Sequence, residues 1–223
     1  MRALLKTVTF TNSSHRKTRA QSLVEFAIAL PVLLLLLLGM VEFGFMLNTY
    51  LSLQDAARAA ARRYSTVNPF DADGNDDATF YQSAAEYVVE TLAPSGDPAA
   101  RQIPVDSTRD NILISLIEVE VTSSDPISLS LTRHPLGTNY YKLYGDTDPA
   151  TGYADDRIQE LLTENDAVPL NAGLLIIEIY YSYEGVINTP FTTLLMSEDN
   201  PVTLYTSAVM PTTYLKPLTT ETP

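Results

Sequence analysis

The sequence contains no cysteine. Disulfides, a thiol nucleophile and a thiolate metal site are therefore excluded. Histidine is nearly as scarce, with only His15 and His134, so a histidine-built metal centre or a Ser-His-Asp triad has almost nothing to draw on. Basic residues are few and unevenly placed. Residues 64–223 hold six Lys or Arg against 24 Asp or Glu, a net charge of −18. A body so charged repels phosphates, which argues against nucleic-acid binding. Catalytic motifs are missing as well: no G-x-S-x-G, no phosphate-cradling glycine loop and no His-x-x-x-His occurs. Adjacent carboxylates such as Asp155-Asp156 and Glu198-Asp199 seldom converge on one atom and read as solvated charge. A non-enzymatic protein without a resident cofactor is expected.

What is present is a basic leader followed by a long apolar run. Residues 1–20 carry Arg2, Lys6, Arg16, Lys17 and Arg19 and no acid. Phe26 to Val41 then runs sixteen residues without a charge, about 24 Å of helix against a hydrocarbon core of about 30 Å. Apolar character resumes after Glu42, and a span counted through Leu47 puts Glu42 near its outer edge. The leader places the amino end in the cytoplasm by the positive-inside rule, and so the acidic body outside. A secretory signal peptide begins in the same way, but the bulky GMVEFGFML offers no small-x-small cleavage site.

The helix is expected to outrun the membrane. Gln21 to Tyr64 contains one proline, Pro31, and two glycines, Gly39 and Gly44. Pro31 either opens the helix by freeing the Ala27 carbonyl or is a tolerated break. Further on, Tyr50, Leu53, Ala57, Ala60, Ala61 and Tyr64 share one side, with Asp55, Arg58 and Arg62 opposite. The alanine stripe permits close approach of a partner element. Asn68-Pro69 ends the run, because proline disfavours helical geometry in the residue before it.

Residues 65–210 read as an external α+β domain. Asp77 to Leu92 suits a short helix with Phe80, Ala84, Tyr87 and Val88 on one face. Leu113, Ile117, Val119 and Val121 alternate with Glu118, Glu120 and Thr122 as in a half-buried strand. A second strand has Leu175, Ile177, Ile179, Tyr181 and Tyr183 on one face and Glu178, Ser182 and Glu184 on the other. Val202–Met210 is its expected partner, and Asp155–Leu162 a further short helix. One apolar face per strand predicts an antiparallel sheet covered by the carboxyl half of the long helix. Residues 123–172 fit no known arrangement, and 211–223, with three prolines, read as a flexible tail.

Two surface features have competing readings. Asp71, Asp73, Asn75 and Asp77 alternate as calcium ligands on a tight loop would. Glycine stands fourth in that loop, however, and Gln82 occupies the twelfth position, so an Asx-rich turn is the alternative. Tyr140, Tyr141, Tyr144, Tyr153, Tyr180, Tyr181 and Tyr183 form either an adhesive surface or half-buried residues with one wet end.

Arg19-Ala20-Gln21-Ser22-Leu23-Val24-Glu25-Phe26-Ala27-Ile28-Ala29-Leu30-Pro31 resembles the amino-terminal signature of TadE-like proteins, the pilin-like proteins of tight-adherence (Flp-type, type IVb) pili. Val41-Glu42-Phe43-Gly44 and the Ala56–Arg62 run extend the resemblance over about 45 residues, and Thr206–Met210 resembles the family's closing strand. The resemblance implies a pilin-like fold and a role in pilus assembly, adhesion or secretion. It implies as partners membrane lipid, other pilin-like subunits or assembly proteins, and a prepilin peptidase. Carried over, the peptidase would cut between Ala20 and Gln21 and leave Glu25 at mature position five. Glu25 would then pair with the new amino terminus of a neighbouring subunit, with Phe26, Pro31 and Glu42 in the assembling helix. This sequence departs from the family in Ala20, where glycine is commoner, and Phe26, where tyrosine is frequent. The alternative is an uncut single-pass anchor, with Glu25 marking the cytoplasmic interface and Glu42 reaching to the outer headgroups. Its external domain would bind a ligand or surface.

Overall fold

The computed structural model describes residues 14–96, 99, 102–124, 127–163, 172–187, 193, 196–197, 200–212 and 214. Residues 1–13 of the leader and 215–223 of the expected tail lie outside the described residues. Helix α1 (Ser14–Tyr64) is the spine of the molecule: 51 residues with Pro31 inside, a rod of about 77 Å at 1.5 Å per residue. It begins seven residues earlier than expected, so the Ala20–Gln21 bond lies within a continuous helix. Its end is local chemistry. Ser65 N–H still bonds the Ala61 carbonyl at 2.9 Å, and the Asn68 side chain then accepts the Phe70 N–H across Pro69 at 3.2 Å.

The first part of α1 is bare. Leu23, Phe26, Ile28, Val32 to Leu38, Met40 and Val41 are all exposed. This helix is the one, among the described residues, long and apolar enough to cross a membrane. Its second half is the reverse: Leu53, Ala56, Ala57, Ala60 and Ala61 are fully buried. The alanines let the helix axis approach the sheet closely, which a larger side chain would prevent.

Helix α2 (Ala78–Leu92) starts on Asp77, whose carboxylate accepts the Thr79 N–H at 2.8 Å, an N-cap that satisfies an otherwise orphaned donor. It buries Phe80, Tyr81, Ala84, Ala85, Val88 and Leu92 beside α1. The antiparallel sheet has strands β1 (Asn111–Ser124), β2 (Ile127–His134), β3 (Tyr141–Leu143), β4 (Ala172–Tyr183) and β5 (Val202–Thr212). Their order is β2-β1-β4-β5, with β3 also paired to β1. Helix α3 (Asp155–Thr163) precedes β4 in the chain.

One expectation needs correcting: the sheet is not apolar on one face alone. Ile112, Ile114, Leu116, Leu175, Ile177 and Ile179 pack against α1 and α2. Ile117, Val119 and Ile176 form a second core with Ile158 of α3, supported by Leu129, Leu131, Tyr153 and Leu174. The unbroken apolar run 112–114 and 116–117 reflects cover on both faces; alternation suits a half-exposed strand. The middle region supplies this second core through Leu129 and Leu131 of β2, Tyr153 and α3. The tail also starts later than expected. Pro211 lies in β5 opposite Leu174, a position open to proline because β5 is an edge strand.

Candidate functional site

The expected site residues fall into two groups along α1. At the start of the bare segment, Gln21 Nε2 donates to Glu25 Oε1 at 3.1 Å, one helical turn apart and exposed. Phe26 is exposed next to it, and α1 continues helical through Pro31. These residues form one uncovered helix surface with no contact to the domain.

Glu42 is placed quite differently. It is only 2% exposed. Its Oε1 accepts the Tyr183 hydroxyl at 2.7 Å and the Val186 N–H at 2.8 Å, and its Oε2 accepts the Ile187 N–H at 2.8 Å. The carboxylate does not snorkel to headgroups: it pins the end of β4 and the following turn to the helix. Irregular backbone is not tolerated in lipid-exposed hydrocarbon, so a bilayer crossed by α1 would have to end before Glu42 and this turn. Met40, Phe43, Phe45, Leu47 and Leu51 are exposed and continue the apolar surface of α1 past Glu42.

Beside this junction lies a cleft of about 460 Å³ lined by Thr49, Val105, Arg109, Tyr183, Glu184 and Val186, among others. Arg109 bridges Asp106 at 2.8 Å and Glu184 at 2.5 Å. Hydrogen bonds from Thr108 and Arg109 hold the Asp106 carboxyl well below the usual range. Asp110 is buried and accepts the Asp106 and Ser182 N–H groups at 2.7 and 2.6 Å; burial pushes its carboxyl up. These are braces for the loop before β1. Glu178 braces the back layer in the same way. It is fully buried and accepts from Gly152 N–H at 2.8 Å, the Thr151 hydroxyl at 2.5 Å and the Tyr205 hydroxyl at 2.8 Å.

The 71–77 segment forms a turn. Asp71 Oδ1 accepts the Asp73 and Asn75 N–H groups at 2.9 and 2.8 Å, with Gly74 at φ +78°. Those N–H groups, Asn75's first, hold the Asp71 carboxyl below its ordinary value. Asp77 caps α2. Among the described residues no group of three or more His, Asp or Glu is placed to hold a metal ion. Sequence reasoning missed the role of Asp76 between them. Its Oδ1 lies 2.8 Å from His134 Nδ1 and accepts the Tyr81 hydroxyl at 3.1 Å, while Oδ2 accepts the Leu136 N–H at 2.7 Å. His134 is fully buried, with the Phe70 ring edge-on at 5.2 Å. Sealed in this way, it cannot serve a substrate. The only sequence signal was a lone histidine ending an alternating segment.

The tyrosines act mainly as braces. Tyr180 donates to the Ala150 carbonyl at 2.6 Å, Tyr140 to Pro149 at 2.8 Å, and Tyr153 lies 3.0 Å from Ser207. Burial, and then the nearby Glu178, pushes the Tyr180 phenol up to about 12. Burial also raises Tyr205, aided by its bond to Glu178, and Tyr81, aided by Asp76. A phenol whose folded value exceeds its unfolded value contributes stability that is complete below pH about 10 and is lost as pH rises beyond it. An alkaline titration read by phenolate absorbance and circular dichroism should show these three tyrosines ionising only as the fold is lost. Ionisation of all thirteen tyrosines near pH 10 with the circular dichroism unchanged would contradict the assigned environments.

No curated protein and no solved structure matches the chain. Residues 20–62 match the family model described as TadE-like protein. The match covers about a fifth of the chain and coincides with α1 from the start of its bare surface to its buried alanines. The part of the chain that is similar to TadE-like proteins is thus the helix that joins an uncovered apolar segment to the core of the domain.

Proposed function

We propose that this protein is a pseudopilin or minor pilin that takes part in assembling a Flp-type pilus and acts without enzymatic chemistry. It crosses the cytoplasmic membrane once, amino end inside, and displays its acidic domain outside. The observation that carries this reading is the continuity of α1. One helix is bare from Gln21 to Val41, apolar on its exposed side through Phe43, Leu47 and Leu51, and buried in the domain from Leu53 onward. Such a helix presents a long lateral surface to neighbouring helices, while Glu42 fixes the domain to it. Removal of residues 1–20 by a prepilin peptidase would put a positive amino group on Gln21, one turn from Glu25. Glu25 would then set register against the amino terminus of an adjacent subunit.

The test is the mass of the mature amino terminus from native membranes. A start at Gln21 supports the reading, and Glu25→Ala should then reduce incorporation into filaments. An intact leader overturns the processing step. It favours a permanent single-pass anchor whose domain binds a ligand or surface, a reading supported by the unbroken helix across Ala20–Gln21.

A further inference from the structure

The external domain has two unlike sides. On the exposed side of α1, Arg58, Arg62 and Arg63 reach solvent, and Arg63 lies 4.8 Å over the Tyr87 ring of α2. With Asp55, Ala59 and Tyr87 they line an open cleft of about 590 Å³. Of the other described cations, Arg109 pairs with Asp106 and Glu184, Arg133 with Asp155 and Lys142 with Asp148. Arg157 sits on α3 between Asp156 and Glu160. The α1 ridge is therefore a basic strip on a body whose net charge is −18 over residues 64–223.

The opposite side of the sheet carries α3, which exposes Asp156 and Glu160. Height makes this arrangement significant. Arg58 and Arg62 follow Glu42 by 16 and 20 residues, about 24 and 30 Å of helix. The Tyr183 end of β4 is held at Glu42, and Ile176 and Leu174 lie seven and nine residues back along the strand, about 23 and 30 Å. Helix α3 joins the core that holds both residues through Ile158, and its Asp155 pairs with Arg133 of β2, which lies opposite Ile117 and so level with Leu174. The basic ridge and the acidic helix thus stand at the same level on opposite sides of the domain. Lipid headgroups are about three Debye lengths below the ridge at physiological salt, too far to be its anionic partner.

We infer that the Arg58–Arg62–Arg63 ridge of one copy receives the Asp156–Glu160 face of α3 from a second copy anchored in the same membrane. The contact is heterologous, since each copy uses a different surface, and repeated contacts of this kind generate a ring or an open helical array. The inference rests on the lateral packing proposed above and supplies its partner and polarity. It also continues the exposed apolar strip through Leu47 and Leu51 upward into a charged one.

The experiment uses the full chain in liposomes, with self-association read by chemical cross-linking. Two charge-reversed proteins are needed, Arg58→Glu/Arg62→Glu and Asp156→Lys/Glu160→Lys. All four positions are exposed, and unchanged circular dichroism confirms folding; the single-site pair Arg58→Glu and Asp156→Lys is the milder alternative. Each reversed protein alone should self-associate about tenfold more weakly than the parent, because attraction becomes like-charge repulsion. An equimolar mixture should return to within about threefold of the parent, since every contact between unlike copies is again complementary. Association unaffected by either reversal, or lost in both and not regained on mixing, overturns this contact and leaves packing through Phe43, Leu47 and Leu51 standing. A parent protein that stays monomeric overturns the lateral packing itself.

Discussion

Glu42→Ala is expected to loosen the domain from its helix. The carboxylate accepts three hydrogen bonds, from the Tyr183 hydroxyl and the Val186 and Ile187 amides, in a site only 2% exposed. Bonds to a charged acceptor contribute about 1.5–3 kcal/mol each and are not additive, so a loss of about 4 kcal/mol at the junction is reasonable. Glu42→Gln keeps one acceptor but turns an amide N–H₂ toward other donors, and should cost about 2 kcal/mol. Hydrogen exchange on the full chain in detergent is the measurement. The amides of 186 and 187 should lose about 1,000-fold protection in the alanine variant, the equivalent of that energy. Unchanged exchange there would mean that Glu42 does not hold the turn, and the functional reading would lose its rigid link between anchor and domain.

Asp76→Ala carries the second large expected effect. Asp76 joins three elements: Tyr81 of α2, His134 at the end of β2, and the Leu136 amide in the turn after it. Both rings are fully buried. His134 Nε2 already has no hydrogen-bond partner among the described residues, the Glu118 carboxylate lying 3.6 Å away. Removing Asp76 therefore leaves the imidazole buried with neither nitrogen bonded, at a cost of about 3 kcal/mol or more. For a domain of this size the melting temperature should fall by about 6–12 °C. Asp76→Asn retains an acceptor for one of the three donors and should fall less. A melting temperature within about 2 °C of the parent would show that the network contributes little.

These two carboxylates mark what the sequence conceals. Glu42 reads as an acid at a membrane edge, because nothing near it in the chain says that Tyr183, 141 residues later, will meet it. Asp76 reads as one member of an acidic run, and its partner His134 is 58 residues away. Long-range pairing of single polar groups leaves no periodicity. The second core was hidden for a related reason: Ile117 and Ile176 look like strand residues on either reading. Only the return of residues 127–163 over the back of the sheet shows that both faces are covered.

The sequence by itself determined the local and periodic features. The uncharged run from Phe26 to Val41 specified an apolar helix surface, and Leu53 with the alanines at 57, 60 and 61 specified the face that packs on the domain. Asp77 specified the start of α2, and alternation in 175–183 and 202–210 specified two adjacent antiparallel strands. Each of these follows from chain geometry within a few residues. The tertiary structure alone decided where the buried carboxylates find their donors, which side of the domain is basic and which acidic, and that the two sides stand at equal height. Those depend on which distant segments share a surface, and that is set by the packing of two layers on one sheet.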